Sequence, residues 1–347
     1  MALAIEKLSN LYTSERTALT REQADAAHLA AKREYFLGSD APKVALALEE
    51  CARRSAAFAR LATLDVVRVT DLGAGVGATS VGFLAWLAAA RADAGCTARV
   101  CVKFHALEHG EPAARAYEAS VKTAATEAGI DLALQIEARD FRRFTPNACD
   151  LILCQTALNE LLHGPAHEAT TVQMVALWAQ AAPLLLIEPA LKSTTRALMQ
   201  LRDSLLEFAT AHVVAPCLHQ KRCPMLERQG DWCHEARVIE PTPRVAALDR
   251  IVGRRDERAL YAFLAMAPGS APTSPRVELR LVTDTLGSRG KTERLLCGSD
   301  GALRLVRLLD REVRDGNRAF LDRERGAVVS IDPLPANDRI TPETSVA

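Results

Sequence analysis

The chain has 347 residues, 49% hydrophobic and 25% charged, an ordinary globular composition with enough length for about two domains and a substantial core. Its 43 Lys and Arg balance its 43 Asp and Glu, so no global field draws it toward nucleic acid or membrane, and any RNA-binding face must be a local patch. No apolar run reaches the roughly 18 residues of a membrane span, and the charged N-terminal stretch MALAIEKLSNLYTSERTALT is unlike a signal peptide. The expectation is a cytoplasmic protein without membrane or DNA partners, or an organelle-matrix protein if a transit peptide is present.

Residues 1–62 are rich in Ala, Glu and Arg at helical spacing, and Ser39-Asp40 with Pro42 reads as a helix start. From Val66 the pattern changes. VVRVTDLGAG reads as a strand entering a glycine turn, followed by helix TSVGFLAWLAAARADAG, which ends at Gly95. Next come strand ARVCVKFHALE, helix EPAARAYEASVKTAATEAG, strands LALQIEARD and CDLILCQ, helix HEATTVQMVALWAQAA, strand PLLLIEP and helix STTRALMQLRDSLLEFAT. Strands alternating with helices predict βαβ units and an α/β fold with a doubly wound, largely parallel sheet over residues 63–267. ERALYAFLAMA adds a further buried strand. PGSAPTSP (Pro268 to Pro275) reads as a linker, residues 268–330 as a small β-rich module, and residues 331–347 as a disordered tail.

In TDLGAGVGATS, Gly73, Gly75 and Gly77 follow a strand and precede a helix, where a cofactor must approach bare backbone. The G-x-G-x-G spacing, preceded by Asp71, departs from the dinucleotide fingerprint. It resembles the loop of Rossmann-like methyltransferases that use S-adenosylmethionine (SAM). Glu108 ends the next strand, where an acid would meet ribose hydroxyls. Asp140 and Phe141 end the third, where an acid and an apolar side chain would meet adenine. Taken alone, the glycine spacing is a weak signal, and acids at strand ends are often solvent-facing; their register in one α/β pattern makes the cofactor reading stronger. After the fourth strand no Asn/Asp-Pro-Pro-aromatic motif appears, and Cys154 lacks the preceding Pro of a cytosine-C5 nucleophile. Gln155, Asn159 and Glu160 are polar there without an assignable role, so no catalytic residue is identified.

The nine cysteines divide in two groups. Cys51, Cys96, Cys101, Cys149 and Cys154 sit in apolar contexts and read as small packing residues in a reducing compartment. Cys217, Cys223 and Cys233 are spaced C-x5-C-x9-C within a polar segment. That spacing suits zinc completed by His219 or His234, or an iron–sulfur cluster, and is not the paired C-x-x-C of a zinc ribbon.

Four strings occur in order: DLGAGVGATS, IEPALKSTTRALMQLRDSLL, APCLHQKRCPMLERQGDWCHE and RRDERALYAFLAMA. Together with LSNLY near the start, they resemble the methyltransferase-like family of mitochondrial small-ribosomal-subunit proteins and their bacterial relatives, over roughly residues 8–310. The resemblance implies a class I SAM methyltransferase fold and a 4Fe–4S site on Cys217, Cys223, Cys233 and a fourth cysteine from a downstream strand. Cys297 matches that position and is the only cysteine after Cys233. It further implies small-subunit ribosomal RNA, or the subunit during assembly, as partner, and a mitochondrial matrix location in a eukaryote. The rival readings are a non-catalytic assembly factor and a zinc-stabilised methyltransferase with a non-RNA substrate. The chain departs from the family at Ala190-Leu191-Lys192 and after Cys297, where DREVRDGNRAFLDRERGAVVS replaces a basic, aromatic segment. From Arg276 to Arg325 it carries 12 basic and 9 acidic residues, and Arg304, Arg307 and Arg311, with Lys221 and Arg222, could line an RNA-facing surface.

Overall fold

In the computed structural model, which describes residues 2–13, 26–162, 168–253, 258–272, 277–334 and 337–347, the central alternation becomes a single twisted sheet. Helices α1 (Ala2–Thr13), α2 (Ala26–Ala31), α3 (Leu37–Arg54) and α4 (Ala56–Ala59) lead into strand β1 (Val66–Leu72). Then follow α5 (Ala78–Asp93), β2 (Cys101–Leu107), α6 (Glu111–Glu127), β3 (Asp131–Glu137), β4 (Leu151–Gln155), α7 (Glu168–Ala181), β5 (Leu184–Pro189) and α8 (Lys192–Phe208). The sheet closes with β6 (Ala211–Ala215), β7 (Glu235–Val238), α9 (Pro243–Ile251) and β8 (Arg258–Pro268). Its order is β3-β2-β1-β4-β5-β8-β6, with β7 paired to β8. β1 to β5 run parallel, and β8 is antiparallel to β5, β6 and β7. This is the doubly wound, class I methyltransferase sheet, reversing direction of travel beside β1.

The alternation of side chains across the strands explains the apolar runs. On β4, Leu151 and Leu153 enter one core with α3, α5 and α6, while Ile152 and Cys154 enter another with α7 and α8. A strand covered on both faces is largely apolar, as the LILC of β4 is. Each fully buried leucine, such as Leu184, Leu186, Leu198 or Leu205, contributes about 2 kcal/mol by leaving water.

The C-terminal module is built on β9 (Leu279–Leu281), β10 (Leu286–Ser288), β11 (Lys291–Gly298) and β12 (Leu303–Leu309), followed by α10 (Ala319–Asp322). Short strands β13 (Val328–Val329), β14 (Ile331–Asp332), β15 (Arg339–Ile340) and β16 (Ser345–Val346) complete it. The module has its own core around Leu296, Val306, Leu308 and Phe320. Val282 and Leu295 instead enter the α7–α8 core of the large sheet, which docks the module there. A buried charge network adds to this. Arg280 on β9 binds Glu50 of α3 and Glu235 of β7 (2.8 Å) and donates to the carbonyl of Pro216 at 3.2 Å. Arg237 also pairs with Glu50 at 3.4 Å and Glu235 at 3.0 Å, so taking Arg280 away would leave two largely buried carboxylates on one more exposed guanidinium, a destabilising change.

Several expectations differ from the structure. The helix expected to begin at Ser39-Asp40 begins at Leu37 behind a π-turn over Lys32–Phe36, and Pro42 lies inside it at the cost of one helical hydrogen bond. The stretch expected to be a disordered tail carries β14, β15 and β16, with Ile340 and Val346 packed in the module core. Part of the linker expected at Pro268 to Pro275 lies outside the described residues. Cys51 and Cys154 are buried, whereas Cys96, Cys101 and Cys149 are half-exposed. Among the described residues no helix is long and apolar enough to cross a membrane.

Candidate cofactor cradle and thiol site

The glycine loop joins β1 to α5 at the C-terminal edge of the sheet, the side on which open α/β sheets bind ligands. Gly73, Gly75 and Gly77 have φ of 68°, 55° and 98°, a region that side-chain-bearing residues avoid. The first two are bare for different reasons. A Cβ on Gly73 would lie 2.6 Å from the Cβ of Ala157, so protein fills that side. A Cβ on Gly75 would meet nothing nearer than the Gly73 carbonyl at 3.9 Å, so the space before it is open. Glu108 reaches this loop: one carboxylate oxygen accepts from the N–H of Gly75 and the other from Gly110, both at 2.8 Å. Phe141 comes within 3.6 Å of the position of a Gly73 Cβ. Asp140 caps the following turn, accepting from the Arg142 N–H at 3.0 Å and pairing with its guanidinium. Gly73, Gly75, Glu108 and Phe141 thus converge on one edge, and a bare, open backbone flanked by an acid and an aromatic ring fits a nucleoside cofactor.

Asp71 is 0% exposed and accepts from Ser80 Oγ at 2.7 Å, whose oxygen also lies 2.8 Å from the Tyr117 hydroxyl. It therefore braces the glycine loop from below. Burial pushes its carboxyl up to about 7, against the Ser80 hydrogen bond and with help from Glu108. An unfolded chain gives up this proton near 3.8, so between that pH and about 7 the unfolded state binds fewer protons than the folded one. Stability should then fall as pH rises through this window, by roughly 1.4 kcal/mol per unit, and level off above it. Urea unfolding of Asp71→Asn should lack that fall; identical pH profiles for variant and wild type would refute the assignment.

Beyond β4 the chain turns at Thr156, whose φ of 54° is unusual for a β-branched residue. Gln155 is tied down on both sides, accepting from Thr79 Oγ1 at 3.2 Å and donating to the Asp40 carbonyl at 3.1 Å. Asn159 donates its side-chain amide to Glu188 at 2.6 Å and its backbone N–H to the same carboxylate at 3.1 Å. Glu188, a fully buried acid at the end of β5, carries no motif in the sequence, and only its place at a strand end could have drawn attention to it.

The thiol site is built on the loop after β6 and on β11. Cys217, Cys223, Cys233 and Cys297 are free and pack against the same core. Burial, then the charge of Cys217, pushes Cys223 and Cys297 up to about 12, and the same two causes raise Cys233 well above its usual range. Cys217 is thus within electrostatic reach of the other three. Helix α8 sets the loop that carries them. Arg202, 0% exposed, donates to the carbonyls of His219 and Lys221 at 2.6 Å each, and Asp203 accepts from the Cys223 N–H at 3.0 Å. One turn and a half earlier, Arg196 donates to the carbonyls of Leu226, Arg228 and Asp231 at 2.8, 3.0 and 2.9 Å. Trp232 donates to the Ala190 carbonyl at 2.9 Å, and Cys297 pairs in register with Arg280. These arginines were not read from the sequence, because their partners lie up to 35 residues away.

Both histidines have their Nδ1 committed. Arg and backbone N–H groups can only donate, so His219 Nδ1 accepts from Lys221 N–H (3.2 Å) and His234 Nδ1 accepts from Arg325 (3.1 Å). The proton of each neutral ring is then on Nε2, which argues against either as a zinc ligand. Among the described residues no three or more His, Cys, Asp or Glu side chains are gathered as ligands of a single metal ion. Of the basic residues expected to face RNA, Arg304 pairs with Asp300, Arg222 with Glu207, and Lys221 donates to the Asp300 carbonyl. Arg307 is exposed, on the opposite face of β12 from Arg304.

The sheet order and glycine-loop geometry define a methyltransferase-like protein of class I. Some solved structures have a distant likeness to the chain. One is the small RNA methyltransferase HEN1, at 8% identity and a TM-score of 0.37, covering 65% of this chain but only 26% of that one. Others are a SAM-dependent methyltransferase from Methanosarcina mazei (13%, TM-score 0.31, 60% and 95% covered) and a putative sarcosine dimethylglycine methyltransferase from Galdieria sulphuraria (14%, 0.32, 77% and 98%). No curated protein matches the chain in sequence. The profile of the family described as mitochondrial small ribosomal subunit Rsm22 matches residues 41–320, and the chain belongs to that family.

Proposed function

We propose that this protein binds SAM at the loop of Gly73, Gly75 and Gly77, with Asp71 bracing it and Glu108, Asp140 and Phe141 lining the site. We further propose that it holds a 4Fe–4S cluster on Cys217, Cys223, Cys233 and Cys297, and acts on small-subunit ribosomal RNA or in assembly of that subunit. It would work in the cytoplasm, or in the mitochondrial matrix of a eukaryote. The observation that supports the reading is that Cys217, Cys223, Cys233 and Cys297 pack against one core, with the buried Arg202 guanidinium near Cys217 and Cys223. Bound SAM would supply an electrophilic methyl group. The protein's own contribution is the bare backbone at Gly75 and the Glu108 carboxylate beside it. The family assignment supports the ribosomal partner.

A second reading, binding without turnover, is favoured by one observation. Two of the polar residues at the end of β4 and beyond it spend hydrogen bonds inside the protein, Gln155 on Thr79 and Asp40, and Asn159 on Glu188. A deletion strain separates the two. Turnover predicts that small-subunit RNA loses a methylated base that a SAM-site variant fails to restore. Full rescue of subunit assembly by a SAM-blind variant, with no modification missing, would leave the binding role alone standing.

A further inference from the structure

We propose that the groove between the β7–β8 edge of the large sheet and the C-terminal module is a phosphate-binding site, with Arg294, Arg325 and Arg258 supplying the positive charge. The site rests on its own geometry; only an RNA backbone as the source of the phosphate rests on the ribosomal reading above. The groove has a volume of about 260 Å³ and is lined by Val238 of β7, Arg258 of β8, Asp284, Arg294 of β11 and Arg325. That is below the roughly 300–1,000 Å³ of sites for drug-sized ligands and suits a small anion.

The buried charges around it do not balance. Arg294 is 1% exposed and donates to the carbonyls of Phe320, Arg323 and Thr283 at 3.0, 2.6 and 3.2 Å, while its Nε has no hydrogen-bond partner. Those carbonyls take up some of its N–H groups and neutralise none of its charge. Arg325, its side chain 10% exposed, donates to the His234 carbonyl at 2.9 Å and lies 4.0 Å from Asp284, which Arg258 meets at 3.3 Å. Among the described residues Arg294 has no carboxylate in ion-pair reach, and the one beside Arg325 is itself 52% exposed. Burial pulls both guanidinium groups below the usual arginine range, with Asp284 opposing it at each. A buried cation without a counter-ion is costly, and a phosphate, which guanidinium groups grip in bidentate fashion, would neutralise the pair. Asp322, Arg323 and Glu324 also line the groove but are exposed, where water and salt screen their charges.

The test is calorimetry of the full chain with inorganic phosphate, at constant ionic strength in chloride, for wild type, Arg258→Gln, Arg294→Gln and Asp284→Asn. Losing a guanidinium should weaken phosphate binding about tenfold, and losing the competing carboxylate should tighten it about tenfold. The tightening separates a binding site from a structural ion pair, which gains nothing when Asp284 loses its charge. Should Arg294→Gln not fold, Arg258→Gln and Asp284→Asn, whose side chains reach solvent, still decide. A wild type that takes up no phosphate, or an affinity equal in all folded proteins, would overturn the inference. Fluorescence anisotropy of a labelled oligouridine with the same proteins identifies the source. RNA affinity that changes in step with phosphate affinity assigns the site to a backbone phosphate. RNA affinity that stays level while phosphate binding changes assigns it to a free phosphate, so the site stands and its link to the ribosomal reading falls.

Discussion

Cys297→Ser should bleach the anaerobic protein and remove most of its iron while SAM binding survives. Cys297 is on β11 of the C-terminal module, and the glycine loop belongs to the large sheet, so the two sites share no residue. Losing a ligand should cost more than the roughly 10- to 100-fold in affinity typical of its outer partners. The cluster would close a loop of more than 60 residues between Cys233 and Cys297, and metal held only by the folded state adds to folding free energy. The module would nonetheless stay docked through Arg280, Glu50 and Glu235. The variant should therefore keep its far-ultraviolet dichroism but be cut faster by protease between β8 and β9. Cys154→Ser, in a strand core, should change neither colour nor cutting. A brown Cys297→Ser protein with full iron would remove this residue from the ligand set.

Gly75→Val should abolish SAM binding in a protein that still folds. No protein atom other than the Gly73 carbonyl comes within 4 Å of a Cβ placed there, so the side chain would enter the space proposed for the cofactor. The φ of 55° adds a backbone cost of about 1–2 kcal/mol for a β-branched residue. Calorimetry should show affinity reduced about 100-fold or more, about 2.8 kcal/mol at 1.4 kcal/mol per decade. Unchanged affinity in the folded variant would mean that SAM, if bound, is bound elsewhere.

Much of this was legible in the residues. β4 and β5 announce themselves because strands covered on both faces are largely apolar, β1 to β3 stand out by their alternation with helices, and the glycine turn marks where β1 gives way to α5. Local chemistry at strand ends likewise pointed to Glu108 and Phe141, which the structure brings to the loop. What escaped is nonlocal or short. β6 follows α8 almost without a break, β7 pairs only with β8, and β13 to β16 have two residues each, too few for any period to register. The bracing of the cysteine loop by Arg196, Arg202 and Asp203 leaves no local signal, because its partners lie 17 to 35 residues away in sequence. Nor can spacing reveal a ring tautomer: His219 and His234 read as candidate zinc ligands until the donors at their Nδ1 atoms were visible.

The central claim is that four thiols hold an iron–sulfur cluster on a methyltransferase-like fold, and metal analysis of the anaerobically purified wild-type protein tests it most directly. About four iron and four acid-labile sulfide per chain, with zinc absent, is the predicted result. Stoichiometric zinc without sulfide, or a colourless protein with neither metal, would contradict it.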